Sequence, residues 1–106
     1  MRQTRTALII PPRLNHPLRV EEINTSPAIR QSLVGGNVGA LTWKDWHADL
    51  NGEADFIPLP QNARAEVLMR AAGPHLEGTV SGTVVFLGHG TSDDEADAPA
   101  HLLRLA

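Results

Sequence analysis

Prolines and glycines divide this chain into short segments. Pro11-Pro12 closes the apolar run Ala7–Ile10, Gly35-Gly36 stops one helical pattern, Gly73-Pro74 stops another, and Pro99 interrupts the acidic stretch before it. No apolar run approaches the roughly 18 residues that a membrane helix requires. In 106 residues this punctuation permits only short strands and helices, packed as one domain. A chain of that size buries roughly two-thirds of its unfolded surface, enough for a single modest core.

The composition suits a globular protein: 42% apolar residues, 20% charged residues and a formal charge of −3. The absence of cysteine excludes a disulfide scaffold, a thiol nucleophile and a zinc site built on thiolates. Charge is unevenly placed. Arg2, Arg5, Arg13, Arg19 and Arg30 outnumber Glu21 and Glu22 in residues 1–36, whereas residues 37–106 are strongly acidic. An isoelectric point near 5.9 argues against a general nucleic-acid binder. MRQTRTALIIPPR has only four consecutive apolar residues, so no signal peptide is expected.

The unbroken run Ala7–Ile10 reads as a buried strand. In Pro17–Ile23, Leu18 and Val20 alternate with Arg19 and Glu21, as in a half-buried strand. Ser26-Pro27 supplies a cap and a first-turn proline for a helix whose apolar face is Ile29 and Leu33, ended by Gly35-Gly36. Asn37–Leu41 is a weak strand. Trp46–Leu50 and Glu53–Ile57 are expected to form a hairpin around Leu50-Asn51-Gly52, pairing Trp46 with Phe56 and His47 with Asp55. Asn62 caps a helix over 63–72 whose buried stripe is Ala65, Leu68, Met69 and Ala72. Gly78–Leu87 is the longest expected strand, with Gly82 marking a bulge or a close backbone approach. Gly88–Ala98 is an acidic loop in which Ser92 and Glu95 have capping-box spacing. Leu102, Leu103 and Leu105 suit a short amphipathic helix. The expected fold is α+β, a mostly antiparallel sheet with two short helices over residues 1–88, followed by an acidic loop and short C-terminal segment over 89–106.

Chemical motifs are sparse. His16, His47, His75, His89 and His101 have no HxH or HxxxH spacing, so the sequence shows no metal site. The loop Gly88–Asp94 holds serine, histidine and aspartate as near neighbours, an arrangement that lacks the rigid geometry of a triad. The only acid/base pair suggested by the hairpin is His47 with Asp55. No phosphate-binding loop is present. Trp43, in a connector before Lys44-Asp45, is a candidate partner-binding residue.

Leu33-Val34-Gly35-Gly36, Leu59-Pro60-Gln61-Asn62-Ala63-Arg64-Ala65 and Gly78–Gly88 (GTVSGTVVFLG) follow one another in an order that resembles the domain of unknown function 3846 family. The resemblance spans roughly residues 7–88 and implies an origin in phages or mobile elements and the cytoplasm of a bacterial host. It carries over no catalytic residues and implies no cofactor. The expectation is a non-enzymatic accessory protein that binds a small anionic ligand, for example a nucleotide, or a host factor. The alternative is a purely protein–protein module that inhibits a host enzyme or defence protein. A ligand would sit at the helix start marked by Asn62 and Arg64, with backbone donors from Gly35, Gly36 and Asn37. Open strand edges further suggest a homodimer.

Overall fold

The computed structural model describes residues 4–73, 76, 78–89 and 95–106. Along the chain the elements are β1 (Thr4–Ile10), β2 (Arg19–Asn24), α1 (Pro27–Val34), β3 (Val38–Thr42), β4 (Trp46–Asn51), α2 (Ala63–Ala72), β5 (Val84–His89), β6 (Glu95–Ala96) and α3 (Ala100–Leu105). The strands form one six-stranded sheet in the order β2-β1-β5-β4-β3, with β6 pairing β5, and every pairing is antiparallel. The α+β class with an antiparallel sheet is therefore as expected.

The unbroken apolar runs occupy the middle of the sheet. Leu8, Ile9 and Ile10 of β1 face Phe86, Val85 and Val84 of β5, and all six are buried. Because side chains alternate across a strand, such runs need cover on both faces. One face carries Leu8, Ile10, Trp46, Ala48, Val84 and Phe86 beneath α2 and α3. The other carries Ala7, Ile9, Ile23, Val85 and Leu87 beneath Val34 of α1. Trp46 and Phe86 pack with tilted rings 5.5 Å apart at the centre of the first face.

The expected hairpin downstream of β4 does not form. β4 pairs instead with β3 before it, through a tight turn in which Trp43 N–H donates to the Trp46 carbonyl at 2.8 Å, and with β5 on its other side. Both edges of β4 are thus taken. Residues 53–57 remain turns, held by Asn51 and Glu53 carbonyls, and Phe56 is 86% exposed. Local alternation cannot reveal that a strand's two hydrogen-bonding edges are already occupied.

Two further expectations change. The long strand is cut at Gly82, whose φ of +80° turns the chain so that its N–H donates to the Pro60 carbonyl at 2.8 Å. Only Val84–His89 remains as strand. In α1, Ile29 points outward at 41% exposure, and Arg30 and Val34 turn inward. Ser26 occupies the N-cap position without a side-chain cap bond, while Gly35 takes the expected left-handed C-cap at φ +79°.

The C-terminal stretch joins the same core. β6 pairs Ala96 with Gly88 and Glu95 with His89, Ala98 N–H donates to the Thr6 carbonyl at 2.8 Å, and Leu102 is fully buried. Gly88 makes this possible, since a Cβ there would overlap the Asp97 carbonyl oxygen. Ser92, of the expected capping box, lies outside the described residues; Glu95 is in β6.

Asn62 ties α2 to the sheet. Its side-chain oxygen accepts from Ala65 N–H at 3.0 Å, the expected cap. Its amide nitrogen donates to the Ile10 carbonyl at 2.8 Å and the Gly82 carbonyl at 2.9 Å, and the side chain is fully buried. A cap alone accepts aspartate as readily as asparagine. Here Asn62→Asp removes both donors and sets a carboxylate against two buried carbonyls. The variant is expected to lose about 3 kcal/mol or more of stability, measured by urea unfolding; an unchanged midpoint would reduce Asn62 to a simple cap.

Candidate functional site

The residues expected to form one anion site lie on opposite faces of the sheet. Gly35, Gly36 and Asn37 follow α1, whereas Asn62 and Arg64 begin α2. Both N–H groups of the Asn62 side chain are already donated within the protein and the side chain is fully buried, so it offers no donor to an anion. Arg64 is held by the connector between β1 and β2, its Nη2 donating to the Pro11, Arg13 and His16 carbonyls at 2.7, 2.9 and 2.6 Å. Gly36 backs onto the Asn51 amide, and Asn37 donates to Glu53 Oε1 at 2.9 Å. The five residues therefore form no common pocket, because both termini in question are used to fasten helices to the sheet. Trp43 is half-buried; a Cβ on Gly73 would lie 2.8 Å from its indole nitrogen, and Lys44 Nζ sits 5.8 Å from its ring.

A polar cluster that the sequence pattern did not assemble lies under α1. β4 directs His47 and Asp49 to this face, β5 directs His89, and β6 adds Glu95. Arg30 reaches down from α1 and binds Asp49 through both carboxylate oxygens, at 2.7 and 2.8 Å, while its Nη1 lies 2.9 Å from Glu95. Asp49 is fully buried. Its hydrogen bond, opposed by burial and aided by both carboxylates, raises the Arg30 pKa above the ordinary guanidinium value.

His47 Nε2 lies 3.0 Å from Glu95 Oε2 and 3.5 Å from Asp49 Oδ1, and its ring stacks on His89 with centroids 5.0 Å apart. Burial pushes the His47 pKa below the ordinary imidazole value and outweighs the two carboxylates that pull the other way. The expected partner Asp55 is exposed in the turn after β4, so the acid/base pair His47–Asp55 does not exist. Among the described residues no group of three or more His, Asp or Glu has the geometry to hold a metal ion. The alternation of His47 and Asp49 with Trp46 and Ala48 was visible in the sequence. The arrival of β6 and Arg30 was not, because both come from distant segments.

An apolar groove of about 340 Å³ lies between α2, α3 and the segment entering β2. Leu18, Val67, Ala71 and Leu105 line it, with Arg64 at its wall and Ile10 at its floor. Val67 is 66% and Leu105 50% exposed. The Arg64 Nε is buried there without a hydrogen-bond partner. A second, more polar groove of about 390 Å³ runs along α1 beside β3. No protein-family model, curated protein or solved structure matches this chain.

Replacing Arg30 with methionine leaves Asp49 buried without its cation and is expected to cost about 3–5 kcal/mol, whereas adding Asp49→Leu to it recovers most of the loss. Thermal or urea unfolding of the single and double variants checks this. A second expectation concerns pH. His47 titrates lower folded than unfolded, so the unfolded chain binds more protons between the two values. Its contribution is full above the ordinary imidazole range and falls as the pH drops through that range toward the folded value. Urea midpoints of the parent chain are expected to decline between about pH 7 and pH 5, with a shallower decline in His47→Gln.

Proposed function

We propose that this chain is a non-enzymatic binding module, an accessory protein of a phage or mobile element, that engages a protein of its bacterial host in the cytoplasm. The observation that carries the proposal is the groove between α2 and α3, which leaves Val67 and Leu105 largely in water. Exposed apolar residues gathered around a concavity mark interaction surfaces, whereas single scattered ones do not. The phage or mobile-element origin in this reading rests on the motif order over residues 7–88 alone, which no family model matches.

The groove is flanked by positive charge. Arg13 and Arg104 stand on segments adjoining it, so the fitting partner is an apolar segment with acidic flanks. Under α1, Arg30, Asp49 and Glu95 are joined in ion pairs, whereas the His47 ring nitrogens and His89 Nε2 are buried without a hydrogen-bond partner.

Affinity capture from host lysate tests the reading. Val67→Glu and Leu105→Glu are expected to weaken capture of a specific partner at least about thirtyfold, roughly 2 kcal/mol at a hot spot. Phe56→Ser, outside the groove, is expected to leave capture unchanged. Persistence of the same partner in both groove variants would refute the groove. A small mass retained in the native mass spectrum and lost in Arg64→Gln would point instead to an anionic ligand.

A further inference from the structure

The two ends of the main sheet are built differently. β2 carries Arg19, Glu21 and Glu22, with Arg19 and Glu21 paired at 3.0 Å. Charges of this kind blunt an edge against pairing with another chain. β3 reads Val38-Gly39-Ala40-Leu41-Thr42 and has neither a charge nor a proline.

Hydrogen bonds at either end of the β3–β4 ladder establish which backbone groups of β3 point outward. Trp43 N–H donates to the Trp46 carbonyl at one end, and Gly52 N–H donates to the Asn37 carbonyl at 2.7 Å at the other. Bonded and non-bonded pairs alternate along an antiparallel ladder. Between these two, the register makes Gly39–Leu50 and Leu41–Ala48 the bonded pairs. The N–H and C=O groups of Val38, Ala40 and Thr42 therefore face away from β4. The far side of β4 agrees, since His89 N–H bonds to the Asp45 carbonyl and the same parity carries His47 and Asp49 toward β5. Among the described residues, nothing pairs with the outward groups of β3.

From this edge we infer that a second copy of the chain adds its own β3 antiparallel to β3, with a two-fold axis at Ala40. This dimer is independent of the α2–α3 groove. The strand is self-complementary about that residue. Ala40 meets the partner's Ala40 as a bonded pair, and Val38 meets the partner's Thr42, so every outward N–H finds a carbonyl. On the face beneath α2, Leu41 falls opposite the partner's Gly39, a large side chain against none. On the other face the small Ala40 side chains meet at the axis. The groove of about 390 Å³ over Val38 and Ala40 shows that α1 stands back from this side of the sheet. The two α1 helices then lie on the same face of the joined sheet, one on each side of the axis. The interface is isologous, as a two-fold dimer requires.

Sedimentation equilibrium from low micromolar to submillimolar concentration tests the pairing, together with amide hydrogen exchange. The parent chain is expected to move from 11.4 kDa toward twice that mass. The amides of Val38, Ala40 and Thr42 gain protection only in the dimer, whereas those of Gly39 and Leu41 are protected throughout. Ala40→Lys sets two ammonium groups together at the axis, and Ala40→Pro removes the central donor. Each is expected to weaken dimerisation at least tenfold while keeping the parent circular dichroism. Val67→Glu is expected to leave the dimer intact, which separates this interface from the groove. A mass of 11.4 kDa at every concentration would overturn the inference. So would a dimer that survives both folded Ala40 variants, or one abolished by Val67→Glu while the outward amides exchange freely. If neither Ala40 variant folds, exchange of the parent amides decides the matter.

Discussion

The structure rests on the requirement that two adjacent strands, β1 and β5, be dry on both faces. Ala7–Ile10 and Val84–Leu87 place apolar side chains alternately up and down, and all are buried. A sheet with such a centre cannot leave one side in water. In a short chain the cover must come from small helices, and α2 with α3 supplies one face while α1 supplies the other. Gly88 belongs to the same solution, because the chain segment after β6 crosses the sheet where any side chain on Gly88 would block it.

The two covers are held by different physics. The α2 face is mainly apolar, with Ala65, Leu68 and Met69 seated on Trp46 and Phe86 and Asn62 bonded to the end of β1 at Ile10 and to the turn at Gly82. The α1 helix has eight residues and only Val34 fully in the core. An apolar stripe that small cannot hold a short helix, since isolated helices of this length are unstable in water. The bidentate Arg30–Asp49 pair supplies the missing fastening. It also explains why Ile29 points outward, since the side of the helix carrying Arg30 must face the sheet. Glu66 shows a milder form of the same device: its carboxylate accepts from Gln61 and from Val80 N–H, and the Gln61 bond leads in lowering its pKa, against the opposing effect of burial.

What the packing leaves open is as informative as what it closes. The groove beside α2 is apolar and lies between two helices, so it suits a side chain or helix from another protein. The edge at β3 offers backbone groups and small side chains, so it suits a strand. Their different chemistry keeps the proposed recognition of a host protein apart from the proposed self-association. The ionisable cluster beneath α1 borders the β3 edge, since Arg30 lines the groove over Val38 and Ala40; its Arg30, Asp49 and Glu95 are ion-paired, while the His47 ring nitrogens and His89 Nε2 are buried without a hydrogen-bond partner.

Much of the fold was legible in the residues. Pro11-Pro12, Gly35-Gly36 and Asn62 punctuate the chain where the elements do begin or end, because capping and backbone stiffness act within a few residues. The buried stripe of α2 followed from helical periodicity, and β1 from an unbroken apolar run closed by Pro11-Pro12. The candidate sites were less legible. Nothing near Asn62 in the sequence announces the Ile10 and Gly82 carbonyls that consume its amide, and nothing near His47 announces Arg30, His89 or Glu95. The partner of β4 was misassigned for the same reason, since parity within one segment is silent about which other strand lies beside it. Local stereochemistry thus determined where the helices and central strands lie and which side chains are apolar. Only tertiary structure decided which polar groups are consumed and which remain free, because that depends on segments brought together by burying both faces of one sheet.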